Sequence, residues 1–370
     1  MSKLADIEII DAHVHARNIN SVANLSGLTE AYGLSAINIA SAPCASDPAA
    51  AENLLGPVFK ALHPGKFYWF GGLHHKKPVV ADEKTPDYGG QAKRLWEMGC
   101  DGIKMLEGKP SIYKFIGSRP LNDPLYDEFF GWAEQEQVPI LYHVADPWRN
   151  WDDKTCPQIT RDRGWFYGDG SFPLLQELYD QVDEFLSRFP KLPVIFAHFY
   201  FIHEDIERAE AFFKRWPNVS YDLTPGGAMY KSFTRYNPAW REFFMRHQDR
   251  ILFGTDNNGG SRPDLDGSRL ARATERIDRV RIFLETRDEI PDDPRPPHVG
   301  FELDRDVLDK IYRTNFQRYA GDKPRPVNIP AALDRCRELK AILRDADWDQ
   351  ETLTDLDEIT KALEQANSAN

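Results

Sequence analysis

Apolar residues between positions 7 and 258 gather into eight short runs rich in β-branched and aromatic side chains. The runs are 7–15 (IEIIDAHVH), 35–43 (SAINIASAP), 66–75 (KFYWFGGLHH), 100–108 (CDGIKMLEG), 138–146 (VPILYHVAD), 192–200 (LPVIFAHFY), 218–226 (NVSYDLTPG) and 250–258 (RILFGTDNN), and each predicts a strand. Helical spacing appears between them, in Leu125, Phe129, Phe130 and Ala133, and again in Leu174, Leu178, Val182, Phe185 and Leu186. Strand starts recur roughly every 35 residues, the length of one strand plus its crossover helix. This alternation predicts an α/β fold with a parallel sheet covered by helices. Eight such units with right-handed crossovers close into a (β/α)8 TIM barrel. A doubly wound open sheet fits less well, because no glycine-rich phosphate loop follows the first run.

Two stretches break the period. Residues 146–173 are aromatic and charged without periodicity, and a loop of that length inside a compact domain usually serves function. Beyond residue 304, 305–320 (RDVLDKIYRTNFQRYA) predicts a helix, 324–330 (PRPVNIP) a linker, and 331–366 one or two more amphipathic helices. The expected organisation is a barrel over residues 1–320 with a C-terminal helical extension, 321–370, packed on it.

Charge narrows the partners. With 58 acidic and 46 basic residues the 370-residue chain carries a net charge of −12, which repels nucleic acid and anionic membranes and points to a small-molecule substrate. Cys44, Cys100, Cys156 and Cys336 lie far apart, with neither disulfide-framework nor metal-knuckle spacing. The first residues show no targeting pattern, and the longest apolar stretch, 192–202, is too short to span a bilayer. A cytoplasmic protein is expected, and its helical outer surface makes a homodimer the expected assembly.

The candidate chemistry sits at the strand ends. In His13-Val14-His15 the two imidazoles share one face of the first strand. The fifth run carries His143, the sixth His198, the eighth Asp256, and the fourth Lys104. The C-terminal ends of barrel strands converge on one mouth, where the active site of this fold lies. Five of these six residues are good ligands for a divalent cation.

At these residues the sequence resembles the amidohydrolase superfamily, in the amidohydrolase-related branch that also contains non-oxidative decarboxylases. The resemblance covers about residues 7–320 and rests on DAHVH, GIKM, His143, His198, FGTD before Asn257, and YRTNFQRYA. It implies that His13, His15, His143 and Asp256 bind Zn²⁺, Mn²⁺ or Fe²⁺. Asp256 also takes a proton from water activated by the cation, and His198 serves as acid/base or electrophile. One ion is expected, and two if Lys104 is carbamylated and bridges them. Otherwise Lys104 holds a substrate anion or pairs with a carboxylate such as Glu107.

Further candidates come from the surrounding segments. Asp11 shares the inward parity of the histidine pair, one layer deeper, and either orients a ligand or barrel lysine or makes structural hydrogen bonds away from the site. His74 and His75 close the third run, with one expected to face the mouth. The long loop offers Trp148, Arg149, Trp151, Arg161, Arg163, Trp165 and Tyr167, suited to a carboxylate and an aromatic ring. Tyr221, Met229, Tyr230 and Arg235, on or after the seventh run, and Arg119 after the fourth complete the set. The expected function is hydrolysis of a lactone, amide or related bond in a small carboxylate- or ring-bearing substrate. The alternative on the same site is decarboxylation of an aromatic or unsaturated acid, and a third reading is an inactive small-molecule-binding barrel.

Overall fold

A computed structural model describes residues 6–225, 229–292 and 295–369. The eight expected strands form as β1 (Ile10–His15), β2 (Ala36–Ala40), β3 (Phe67–Gly72), β4 (Gly102–Gly108), β5 (Ile140–Val144), β6 (Val194–Phe196), β7 (Val219–Asp222) and β8 (Ile251–Leu252). A short β9 (Asn257–Asn258) continues the chain of β8 and pairs with β1, while β8 pairs with β7. All neighbours are parallel, in the order β8-β7-β6-β5-β4-β3-β2-β1-β9. Between the two pieces, Ala12 N donates to Phe253 O (3.0 Å) and Asp256 N donates to His13 O (2.9 Å). The sheet therefore closes on itself.

Alternation along the strands separates two apolar layers. Ile10 and Ala12 of β1, Ala36 and Ala40 of β2, Tyr68 and Phe70 of β3, Leu141, Ile195 and Leu252 fill the barrel interior. The alanines leave room for large rings, and Phe316 plugs the interior with its ring centroid 5.0 Å from Tyr68 and 5.9 Å from Phe70. The opposite strand faces, with Ile103, Met105, Ile140, Tyr142, Val194 and Tyr221, join the helices in the larger outer core. Tyr221 thus packs away from the mouth, contrary to the substrate contact expected of it.

The strands are shorter than the apolar runs, and their ends matter for the site. β3 stops at Gly72, before His74 and His75. β7 stops at Asp222, and residue 226 of the expected strand lies outside the described residues. β6 pairs with β5 only as far as Phe196, after which His198, Phe199, Tyr200 and Phe201 turn left-handed with φ of 55°, 55°, 55° and 54°. Left-handed backbone costs non-glycine residues roughly 1–2 kcal/mol each. Aromatic burial offsets that cost: the Phe199 ring lies 4.9 Å from both Tyr221 and Phe233 and 5.5 Å from Trp240.

Helices Asp127–Glu136 and Leu175–Arg188 form where the spacing predicts them. Residues 305–320 run as Arg305–Asp309, one π turn at Lys310–Thr314, and Asn315–Ala320. The last helices, Ile329–Asp345 and Gln350–Ala369, pack on each other and on helix Leu55–Leu62, and their Leu339, Leu343, Leu356 and Ile359 join the outer core. Residues 146–173 hold only two short helical turns, Trp148–Trp151 and Gln158–Asp162. The hairpin of Glu289–Asp292 with Arg295–Val299 was not expected, because its proline-rich sequence reads as loop. Among the described residues no helix is long and apolar enough to cross a membrane.

The left-handed turn depends on its buried ring. Phe199→Ala is expected to lower unfolding free energy by about 3–5 kcal/mol in urea titrations, the usual range for Phe→Ala in a packed core.

Candidate active site

β1 changes register between Asp11 and Val14. Such irregularities re-aim side chains. Ile10 and Ala12 face the barrel interior, but Val14 faces the outer core, so His13 and His15 turn to the mouth. Simple parity with Asp11 therefore does not hold. Instead the Asp11 carboxylate accepts from Thr255 Oγ1 (2.5 Å) and from the backbone N of Thr255 (3.1 Å) and His13 (3.3 Å). It ties β1 to the residue preceding Asp256, and burial raises its pKa to about 7.

The two imidazoles are oriented from behind. His13 Nδ1 donates to Asp222 Oδ2 at 2.8 Å, and His15 Nδ1 donates to Ala40 O at 2.6 Å. Both Nε2 atoms are then left as lone pairs, yet they face each other at 3.2 Å. Asp256 Oδ1 joins them, 3.3 Å from His15 Nε2, and the three ligand atoms lie within 4.8 Å of one another. Three electron-rich atoms this close repel unless a cation lies between them. Ligand distances of roughly 2.0–2.1 Å around a tetrahedral ion place neighbouring ligands about 3.3 Å apart, as found here. The residues present therefore fit a divalent cation.

Electrostatics agree with that role. Burial, with Lys104 beside it, pushes His13 down to about 3, so the ring is neutral near pH 7. Burial would raise Asp256, but His15 at 3.3 Å and the nearby His198 and His13 hold the carboxyl well below the usual range. Lys104 reaches the same point, with Nζ 3.2 Å from His13 Nε2, and burial lowers it to about 8. It does not pair with Glu107, whose carboxylate is taken by His75 Nε2 at 2.7 Å.

His198 and His143 form the next layer. The His198 ring centroid lies 5.7 Å from His13 and 4.7 Å from His143. His198 N donates to Asp222 Oδ1 (2.8 Å) and its Nδ1 donates to Thr224 O (3.3 Å), leaving Nε2 free. His143 Nε2 donates to Ala145 O at 3.0 Å and lies 3.5 Å from Asp146 Oδ1. That places His143 a ring away from the three convergent ligand atoms. Burial lowers both rings to about 4.

The other candidates are held mostly by protein partners. Arg119 donates to Asp123 and to the carbonyls of Glu83 and Lys84, a surface anchor rather than a carboxylate receptor. Tyr230 is buried with its hydroxyl on Leu223 O (2.9 Å), and His75 lies between Tyr88 and Glu107. Met229 is buried and Arg235 is exposed. Trp165 stacks under Lys109 Nζ (4.3 Å), and Asp146 clamps the base of the long loop by accepting from Lys109 (2.7 Å) and Tyr167 (2.6 Å). Trp148 and Arg149 both reach Glu204 and remain half-exposed, with Arg149 Nε unpaired. The sequence reading missed Asp222. Its signal was a strand-end carboxylate at the level of His143, one residue past Tyr221.

A closed parallel (β/α)8 barrel with His, His, Asp and Lys converging at its C-terminal mouth defines a TIM barrel with a candidate divalent-cation site. The family model described as Amidohydrolase matches residues 79–318, and the chain belongs to that family. The match begins after β3, so the placement of His13 and His15 comes from the fold itself. Among solved structures, the chain is similar to an uncharacterised TIM-barrel protein from Bordetella bronchiseptica at 15% identity and a TM-score of 0.50, covering 85% of this chain and 99% of that one. It is also similar to a 4-oxalomesaconate hydratase from Rhodopseudomonas palustris at 15% identity and a TM-score of 0.50, covering 90% and 99%. At this identity the likenesses speak for the fold. A search of curated proteins finds no match.

The depressed histidines predict an acid-sensitive apoprotein. An unfolded histidine takes a proton near 6.5, whereas His13 resists until about 3 and His143 and His198 until about 4. The unfolded chain then binds more protons in that window, so stability falls as pH drops from about 6.5 to about 4. His74, lowered to about 3, and His203, lowered to about 4, add to this, while Asp11, raised to about 7, Asp355, raised to about 6, and the raised carboxyls of Glu52 and Asp101 oppose it, four groups against five. Chelator-treated protein should have a lower Tm at about pH 4.5 than at pH 7 by scanning calorimetry.

Proposed function

We propose that the chain is a metal-dependent hydrolase acting on a carbonyl-type bond, a lactone, amide or related linkage, in a small carboxylate- or ring-bearing molecule. The observation that carries this reading is the pair of facing Nε2 atoms of His13 and His15 beside Asp256. The amidohydrolase family generally uses a divalent metal. His13, His15 and Asp256 would hold it, and the nitrogen and oxygen donors suit Zn²⁺, Mn²⁺ or Fe²⁺. When bound, such an ion polarises a substrate oxygen and acidifies water.

The chain's own groups supply the rest. Asp256, ionised and half-buried, is the base that takes a proton from attacking water. His198, neutral and with Nε2 free, receives that proton from Asp256 and delivers it to the leaving group. Lys104 faces the developing oxyanion in the one-ion arrangement we favour. Its lowered pKa also supplies the neutral amine that a carbamate bridge to a second ion requires.

A second reading rests on Arg149. Its unpaired Nε and its guanidinium 5.4 Å from the Trp148 ring favour an acid that carries a ring, on which the same centre would support decarboxylation.

His13→Ala combined with His15→Ala should lose the bound ion at this centre while keeping the wild-type circular dichroism. Asp256→Asn should lower kcat by roughly 10²–10⁴ with metal still bound, the range for removing a general base. Assays with lactones and aromatic carboxylates, following acid release against CO₂ release, separate hydrolysis from decarboxylation. Neither product from metal-loaded protein across the panel would contradict both and leave a binding barrel.

A further inference from the structure

A second convergent donor set occupies the mouth on the side of β2 to β4. Cys44 follows β2, His75 follows β3, and Glu107 lies on β4; all three are buried. One ligand atom from each, Sγ, a ring nitrogen and a carboxylate oxygen, lies within 4.8 Å of the other two. Glu107 reaches this point because β4 changes register between Met105 and Gly108. Cys44 is a free thiol.

We infer that Cys44, His75 and Glu107 form a second divalent-cation site, separate from the His13, His15 and Asp256 centre and suited to zinc. Thiolate, imidazole and carboxylate together make a donor set that a borderline-soft ion prefers over Mg²⁺ or Ca²⁺. His75 shows the support expected of a ligand. Its Nδ1 is 2.7 Å from the Tyr88 hydroxyl, a partner that can accept the ring proton and leave Nε2 for an ion. Nε2 now lies 2.7 Å from Glu107 Oε1, so binding moves the ring proton to Nδ1 and opens that contact toward the spacing of neighbouring ligands. The Cys44 proton leaves to solvent, so thiolate and carboxylate balance the double charge.

The site also has access. Cys44 and His75 line a cleft of about 30 Å³, with His74, Lys76, Phe115 and Trp348 around it. That is room for one or two waters, enough for a fourth ligand. The Trp348 indole Nε1 has no hydrogen-bond partner among the described residues and lines the same cleft. A structural hydrogen-bond chain from Tyr88 through His75 to Glu107 explains those two bonds but not the convergence of the thiol.

Zinc counting on the full chain tests this independently of the proposed reaction. Wild type should hold two ions per chain. Cys44→Ser should lose one, His13→Ala with His15→Ala the other, and the triple variant both. Cobalt-loaded wild type should show near-ultraviolet thiolate-to-cobalt absorption, retained in the double histidine variant and lost in Cys44→Ser. If Cys44→Ser does not fold, Glu107→Gln gives the same count, and the wild-type cobalt spectrum needs no variant. A single ion lost only in Cys44→Ser would support this site and count against the first centre. Two ions retained in Cys44→Ser, a single ion lost with the histidine pair, or no thiolate band in wild type would overturn the inference.

Discussion

The Asp222 carboxylate holds the barrel mouth together. One oxygen accepts from His13 Nδ1 at 2.8 Å, and the other accepts from the backbone N of His198 at 2.8 Å and of Thr224 at 3.1 Å. A single buried anion thereby sets the tautomer of His13 and anchors the turn that carries His198. Its neighbours hold its pKa far down despite burial, led by His13. A buried charge is tolerated only when paired and hydrogen-bonded, and here the partners that satisfy it are the groups that the chemistry needs.

Two departures from regular strand geometry aim the site. The irregularity in β1 turns His13 and His15 to the mouth after Ile10 and Ala12 have filled the interior. The left-handed turn after Phe196 swings His198 inward while Phe199 returns to the outer core. In both places the local cost is offset by burial in a packed layer, and in both the functional group sits beside the strain.

The barrel was legible because alternation and helical spacing report burial, which is a local property of the chain. His13, His15, Lys104 and Asp256 were legible because strand ends in this fold meet at one place. What escaped depends on contacts between distant segments. Arg119 meets carbonyls at Glu83 and Lys84, His75 meets Tyr88 and Glu107, and Asp222 finds His13. None of these pairings leaves a mark in spacing. His198 was placed on a strand because an apolar run does not show where ladder partners end. Cys44 has no neighbouring cysteine in the sequence, and its approach to His75 after β3 and Glu107 on β4 exists only in the fold.

The account stands on a cation held between His13, His15 and Asp256. Anomalous diffraction at the zinc edge from crystals grown with Zn²⁺ tests this most directly. A peak about 2.0–2.2 Å from both Nε2 atoms and from the Asp256 carboxylate is the predicted result. No peak at that position in crystals that carry zinc elsewhere, or none at saturating Zn²⁺, would contradict it.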